Sequence, residues 1–120
     1  MSRRARLREE PAQPDTASGA SARLFKVLGD PTRLRILEAL LGGERAVSQL
    51  VDIVGAPQSR ISNHLACLKW CRLVTSERRG RNVIYRLDSD VERLLTAGRS
   101  LAAAHEDYLA SCTRIGPDWV

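Results

Sequence analysis

The chain has 120 residues, 43% of them hydrophobic, 28% charged and only 4% aromatic, which suits one compact helical domain packed by Leu, Ile, Val and Ala, without disulfides or structural metal. Its net charge of +5 is concentrated: from Pro57 to Arg86 seven basic side chains face Glu77 alone, a bias toward a polyanionic partner. No run of about 18 apolar residues exists, and the charged start Met1 to Glu10 lacks the apolar stretch of a secretory signal, so a membrane span is excluded and a cytoplasmic protein is expected.

Residues 1–17 are Arg-rich and then Pro/Ala/Gln/Asp/Thr without an apolar period, and are expected to form a flexible basic arm. Leu24, Phe25, Val27 and Leu28 predict a first helix ended by Gly29. Asp30 and Pro31 suit the cap and first position of a second helix, Thr32 to Leu41, with Leu34, Leu37, Leu40 and Leu41 inward. Ser48 is a candidate cap for a short helix, Gln49 to Val54, which Gly55-Ala56-Pro57 interrupts. Gln58 to Cys71 then carries Ile61, Leu65 and Leu68 as one apolar stripe, and the two helices with their Gly-containing turn make a helix-turn-helix.

Leu73 to Arg78 and Val83 to Leu87 read as strands around the loop Arg79-Gly80-Arg81-Asn82, a hairpin wing. A long helix is expected from Val91 to about Ser111, followed by a tail, residues 112–120. The fold class is thus mainly α with a small β-hairpin wing: a winged helix-turn-helix domain over residues 18–111, with its first and last helices free to pair two copies across the two-fold axis that helix-turn-helix half-sites share.

At 3.6 residues per turn Arg60, Asn63, Cys67 and Cys71 fall within roughly 80° of one another. The N-terminal turns of that helix offer Ser59, Arg60, Ser62, Asn63 and His64 to phosphates or base edges, Arg and Asn being suited to bidentate contacts with guanine and adenine. Arg78, Arg79 and Arg81 on the wing would reach the flanking backbone or minor groove. Cys67 and Cys71, spaced i, i+4, can converge on one ion but are badly directed for a disulfide with each other. With Cys112 they would make three soft thiolates, suited to Cd(II), Pb(II), Hg(II) or As(III) rather than Mg or Ca; buried thiols serving as small hydrophobes fit the spacing equally well. Two His, no Gly-rich phosphate loop and no nucleophile–base constellation leave an enzyme without support.

The segments Val27 to Leu37, Ser59 to Leu65 and Gly80 to Tyr85 resemble the ArsR/SmtB family of metal-sensing winged-helix repressors, and the likeness runs from about Leu24 to Leu109. Within it, Leu65 to Val74 is similar to the cadmium/lead-sensing CmtR branch, where two cysteines of the recognition helix join a third from the C-terminal region of the other subunit. Cys67 and Cys71 align with that pair, and Cys112 corresponds by position near the tail. The arsenic-type Cys-x-Cys is absent from Val47 to Val54, and His105-Glu106-Asp107 stands alone where zinc sensors carry paired ligand motifs. The resemblance implies a homodimeric repressor that holds double-stranded operator DNA when metal-free and releases it on binding a thiophilic metal ion, Cd(II) or Pb(II) first. The alternative is a thiol-based redox or electrophile sensor on the same scaffold; Lys69 and Arg72 beside Cys71 would lower a thiol pKa, which both readings need.

Overall fold

The computed structural model describes residues 17–114. The elements run α1 Ala17–Leu28, α2 Pro31–Leu41, β1 Arg45–Ala46, α3 Val47–Val54, α4 Gln58–Trp70, β2 Val74–Arg79, β3 Asn82–Leu87, α5 Ser89–Ala104 and α6 Glu106–Ser111. The expected mainly helical fold with a wing is what the chain forms. The basic arm lies outside the described residues, apart from Ala17, which already opens α1, as do the last six residues of the tail.

Asp30 caps α2 from an extended conformation (φ −71°, ψ 126°), its Oδ2 accepting the Arg33 N–H at 2.9 Å, while Pro31 occupies the first turn, where its missing donor costs nothing. That N–H is the main reason the Asp30 carboxyl lies below its ordinary value; the charges of Arg33 and His64 add to it against the cost of partial burial. Asp30→Ala is expected to lower stability by about 1 kcal/mol. Because the folded-state pKa is depressed, the deficit should be full above the ordinary carboxylate range and vanish as pH falls through the folded value, where the wild type also loses its charge. Chemical denaturation of both proteins at several pH values measures it.

The core gathers Ile36, Leu37 and Leu40 of α2, Leu50 of α3, Ile61, Leu65 and Leu68 of α4, Val74 and Leu87 of the sheet, and Val91 and Leu95 of α5. Ile36 takes a fully buried place in α2, while Leu34 and Leu41, expected inward, are only half-buried at its margin. Leu28 of α1 and Val91 and Leu95 of α5 are the buried residues through which the outer helices reach this core.

Several boundaries differ from expectation: β2 runs Val74–Arg79 rather than from Leu73 to Arg78, and β3 begins at Asn82, so pairing of Arg79 with Asn82 shortens the expected four-residue loop to Gly80-Arg81. α3 begins at Val47, two residues early, because the Gln49 side chain rather than Ser48 closes its start: Gln49 Oε1 accepts the Ala46 N–H at 2.8 Å. The wing hairpin gains a third strand, β1, pairing antiparallel with β3 through Arg45↔Tyr85 and Ala46↔Ile84, so the order is β1-β3-β2. The last helix starts at Ser89, where Asp88 accepts the N–H groups of Asp90 and Val91, and is broken at His105 (φ −122°, ψ 24°), with Glu106 and Asp107 favouring the positive end of a new helix.

Candidate nucleic-acid interface and thiol pair

Packing against α2, α3 and β2 fixes α4, whose Ile61, Leu65 and Leu68 are fully buried. The turn before it depends on Gly55 at φ 78°, a left-handed conformation that side chains disfavour. With one stripe buried, the ridge opposite faces solvent: Ser59, Asn63, Ala66 and Trp70 are all exposed, and Trp70 reaches 87%. Arg60 and Ser62 flank this ridge, also exposed. His64 is different: it is half-buried, close enough to Asp30 for its charge to be felt at that carboxylate.

On the wing, Arg79 pairs with Asn82 across a two-residue connection whose Gly80 has φ 63° while Arg81 does not share the positive φ, the II′ pattern. Arg78 and Arg81 are exposed at the tip. Arg79 is engaged: its guanidinium binds both carboxylate oxygens of Glu44 and reaches Glu77 through Nε at 3.2 Å. Arg86 Nη2 joins the same Glu44 at 3.2 Å. These contacts pull the carboxyls of Glu44 and Glu77 below their ordinary values, the hydrogen bond from Arg79 being the main cause in each.

The two thiols sit near the C-terminal end of α4, with the Cys71 N–H donating to the Cys67 carbonyl at 3.0 Å, so the pair occupies consecutive turns. The helix closes in a Schellman motif: the Leu73 N–H donates to the Leu68 carbonyl at 2.9 Å and the Arg72 N–H to the Lys69 carbonyl at 3.0 Å. Arg72 supplies the left-handed residue (φ 63°) where glycine is usual. Cys67 is half-buried and Cys71 exposed. Burial pushes the Cys71 thiol up, and the adjacent Cys67 adds to this; Arg33 and Arg23, from α2 and α1, oppose it. The expectation that Lys69 and Arg72 lower this thiol is thus corrected: the rise from burial dominates, and those two cations instead line a cleft with Trp70, Val74 and Asp88 on the wing side of α4.

Cys112 follows α6 and is half-buried. Among the described residues no three His, Cys, Asp or Glu side chains of one chain come together, so Cys112 does not complete the pair within its own chain. The chemistry of the pair fits a soft ion as two of its donors.

Beyond α4 and the wing, Phe25, Leu28, Leu34, Leu94, Leu95, Gly98 and Ala102 line an apolar groove between α1, α2 and α5. Phe25 of α1, Leu101 of α5 and Tyr108 and Leu109 of α6 are about half or more exposed. Trp70 shares the exposed ridge by its helical spacing from Ser59 and Asn63, which local sequence shows, whereas Glu44 is joined to the wing only by the fold.

A reading helix with an open polar ridge, a preceding support helix and a basic hairpin define a winged helix-turn-helix DNA-binding domain. Residues 30–76 match the family described as "Bacterial regulatory protein, arsR family", and the chain is 41% identical over 103 residues, 85% of its length and 82% of the other, to the "Probable mercury resistance operon repressor" of Streptomyces lividans. The chain belongs to the ArsR family of bacterial regulatory proteins. It is also 49% identical over 77 residues to the transcriptional regulator CmtR of Mycobacterium tuberculosis, a match spanning 63% of this chain and 65% of that protein. Among solved structures, the homodimeric winged helix-turn-helix DNA-binding domain (fragment 1–100) of Mb0332 from Mycobacterium bovis superposes with a TM-score of 0.70 at 32% identity, covering 82% of this chain and 95% of that one. No helix among the described residues is long and apolar enough to cross a membrane.

Proposed function

We propose that this protein is a homodimeric repressor that holds a two-fold symmetric operator through α4 and the wing, and releases it when a thiophilic ion is taken up by Cys67 and Cys71 of one subunit and Cys112 of its partner. Cd(II) and Pb(II) are the first candidates, Hg(II) and As(III) the next. The observation that carries the reading is the pair of thiols on consecutive turns of the helix that also presents Arg60 and Asn63. The name of the mercury-resistance relative agrees with it.

In this reading Arg60 and Asn63 read base edges, Ser59, Ser62 and His64 bond phosphates or bases beside them, and Arg78 and Arg81 neutralise flanking phosphates. The groove between α1, α2 and α5, with the exposed Phe25, Leu101, Tyr108 and Leu109, is the surface two copies bury. When bound, the ion supplies a bridge among three thiolates. Cys67 lies two turns along α4 from Arg60, so a restraint on Cys67 and Cys71 from the partner's tail acts on the reading helix itself, and release requires only a differential DNA affinity of a few kcal/mol.

Redox or electrophile sensing by the same thiols is the second reading; both need the thiolate of Cys71, so they part at the effector rather than at the thiol. The test is fluorescence anisotropy of a duplex enriched by the protein from a random-sequence pool, with and without each ion and with peroxide. The reading expects tight binding by the reduced protein and release by a thiophilic ion; release by peroxide alone would favour the redox alternative.

A further inference from the structure

One cluster on the wing is not accounted for by DNA reading. On the outer face of the sheet, Glu77 and Arg79 stand two residues apart on β2, and Arg86 stands opposite Thr75 on β3. Glu44, which immediately precedes β1, is brought to the same face because β1 pairs with β3. Arg79 makes a two-toothed contact with Glu44 and a second one with Glu77, through Nε at 3.2 Å and Nη2 at 3.3 Å. Arg86 Nη2 lies 3.2 Å from Glu44 and 3.7 Å from Glu77. All four side chains remain substantially solvent-exposed, between 37% and 58%.

The wing therefore divides its cations into two sets. Arg78 and Arg81 at the tip are exposed, whereas Arg79 and Arg86 are compensated by carboxylates. A carboxylate meeting a guanidinium fork has the geometry of a phosphate meeting the same fork, and exposed ion pairs of this kind are weak enough to be exchanged. The single residue common to both compensated arginines and contributed from outside the hairpin is Glu44.

We propose that Glu44 is an affinity-limiting residue: it stands in for a DNA phosphate against Arg79 and Arg86, withholding two guanidinium groups from the backbone and so restraining the sequence-independent part of DNA affinity. Base reading by α4 is left untouched, and because phosphate contacts carry no sequence information the restraint falls on operator and random DNA alike. The inference rests on the reading of the wing as a DNA-contacting element, and it changes the role expected for Arg79 from a phosphate contact to a group held in reserve.

The test measures affinity for a random-sequence duplex across a salt series in wild type, Glu44→Gln, Arg79→Gln, Arg81→Gln and Glu44→Gln/Arg79→Gln, with circular dichroism melts confirming that each is folded. Each phosphate neutralised contributes about 0.9 to the slope of log K against log salt. Glu44→Gln should bind random DNA more tightly with a slope steeper by about 1 to 2. Arg79→Gln alone should leave the slope close to wild type, whereas added to Glu44→Gln it should remove about half of the gain. That dependence on background separates release of the arginines from simple loss of a repelling charge, which would leave the two substitutions additive. An unchanged slope in Glu44→Gln, or a loss in Arg79→Gln as large as that in Arg81→Gln, overturns the proposal. If Arg81→Gln also leaves the slope unchanged, the failure lies in the wing reading itself; if Arg81→Gln lowers it while Glu44→Gln does not raise it, the failure lies in the role given to Glu44.

Discussion

Serine at Cys67 or Cys71 is expected to give a repressor that still binds its operator but no longer releases it when Cd(II) or Pb(II) is added. The substitution changes one atom of a side chain outside the core, so fold and DNA affinity should survive, while tight binding of a soft ion should not, because a hydroxyl is a poor substitute for a thiolate. Cys112→Ser should behave differently, keeping weak two-thiolate binding with impaired release. The absence of any three-donor cluster within one chain among the described residues leads to a sharper form. A heterodimer of a Cys67→Ser/Cys71→Ser chain with a Cys112→Ser chain should regain one complete site. Recovery of none would favour ligands from a single chain, and an undiminished response in a Cys112→Ser homodimer would remove Cys112 from the mechanism. The readout is the sulfur-to-metal charge-transfer absorption beside operator anisotropy.

The second large effect falls on the reading face. Arg60→Ala and Asn63→Ala are each expected to lose about 1 to 3 kcal/mol of operator affinity, roughly 5- to 150-fold, with little change on random DNA, as befits a bidentate base contact. Both residues are exposed and neither joins the core, so thermal stability should stay near wild type. Equal losses on operator and random duplexes would mean that these side chains touch backbone only.

Much of this arrangement is written in local sequence. The Asp30-Pro31 start of α2, the Gly55 break, the stripe Ile61, Leu65 and Leu68, and the Gly80 turn are each set by residues within a few positions, and the structure follows them. What escaped is non-local or too short to have a period. A two-residue strand such as Arg45–Ala46 has no alternation to detect and exists only because β3 offers it an edge. The break at His105 sits in Ala102-Ala103-Ala104-His105-Glu106, a run with no proline or glycine to announce it. Lys69 and Arg72 flank Cys71 in sequence, yet the cations that act on its thiol, Arg33 and Arg23, come from other helices. The same holds for Glu44, 35 residues from Arg79 along the chain.

The most direct measurement of the central claim is a titration of the purified, fully reduced dimer, bound to its labelled operator, with Cd(II) in competition with a chelator of known affinity. Thiolate charge-transfer absorption and operator anisotropy are read from the same samples. The account predicts that both signals move together and reach their end points at the same stoichiometry as the three-thiolate sites fill. Saturation of the thiols with the operator still bound, or release of the operator with no charge-transfer band, would contradict it.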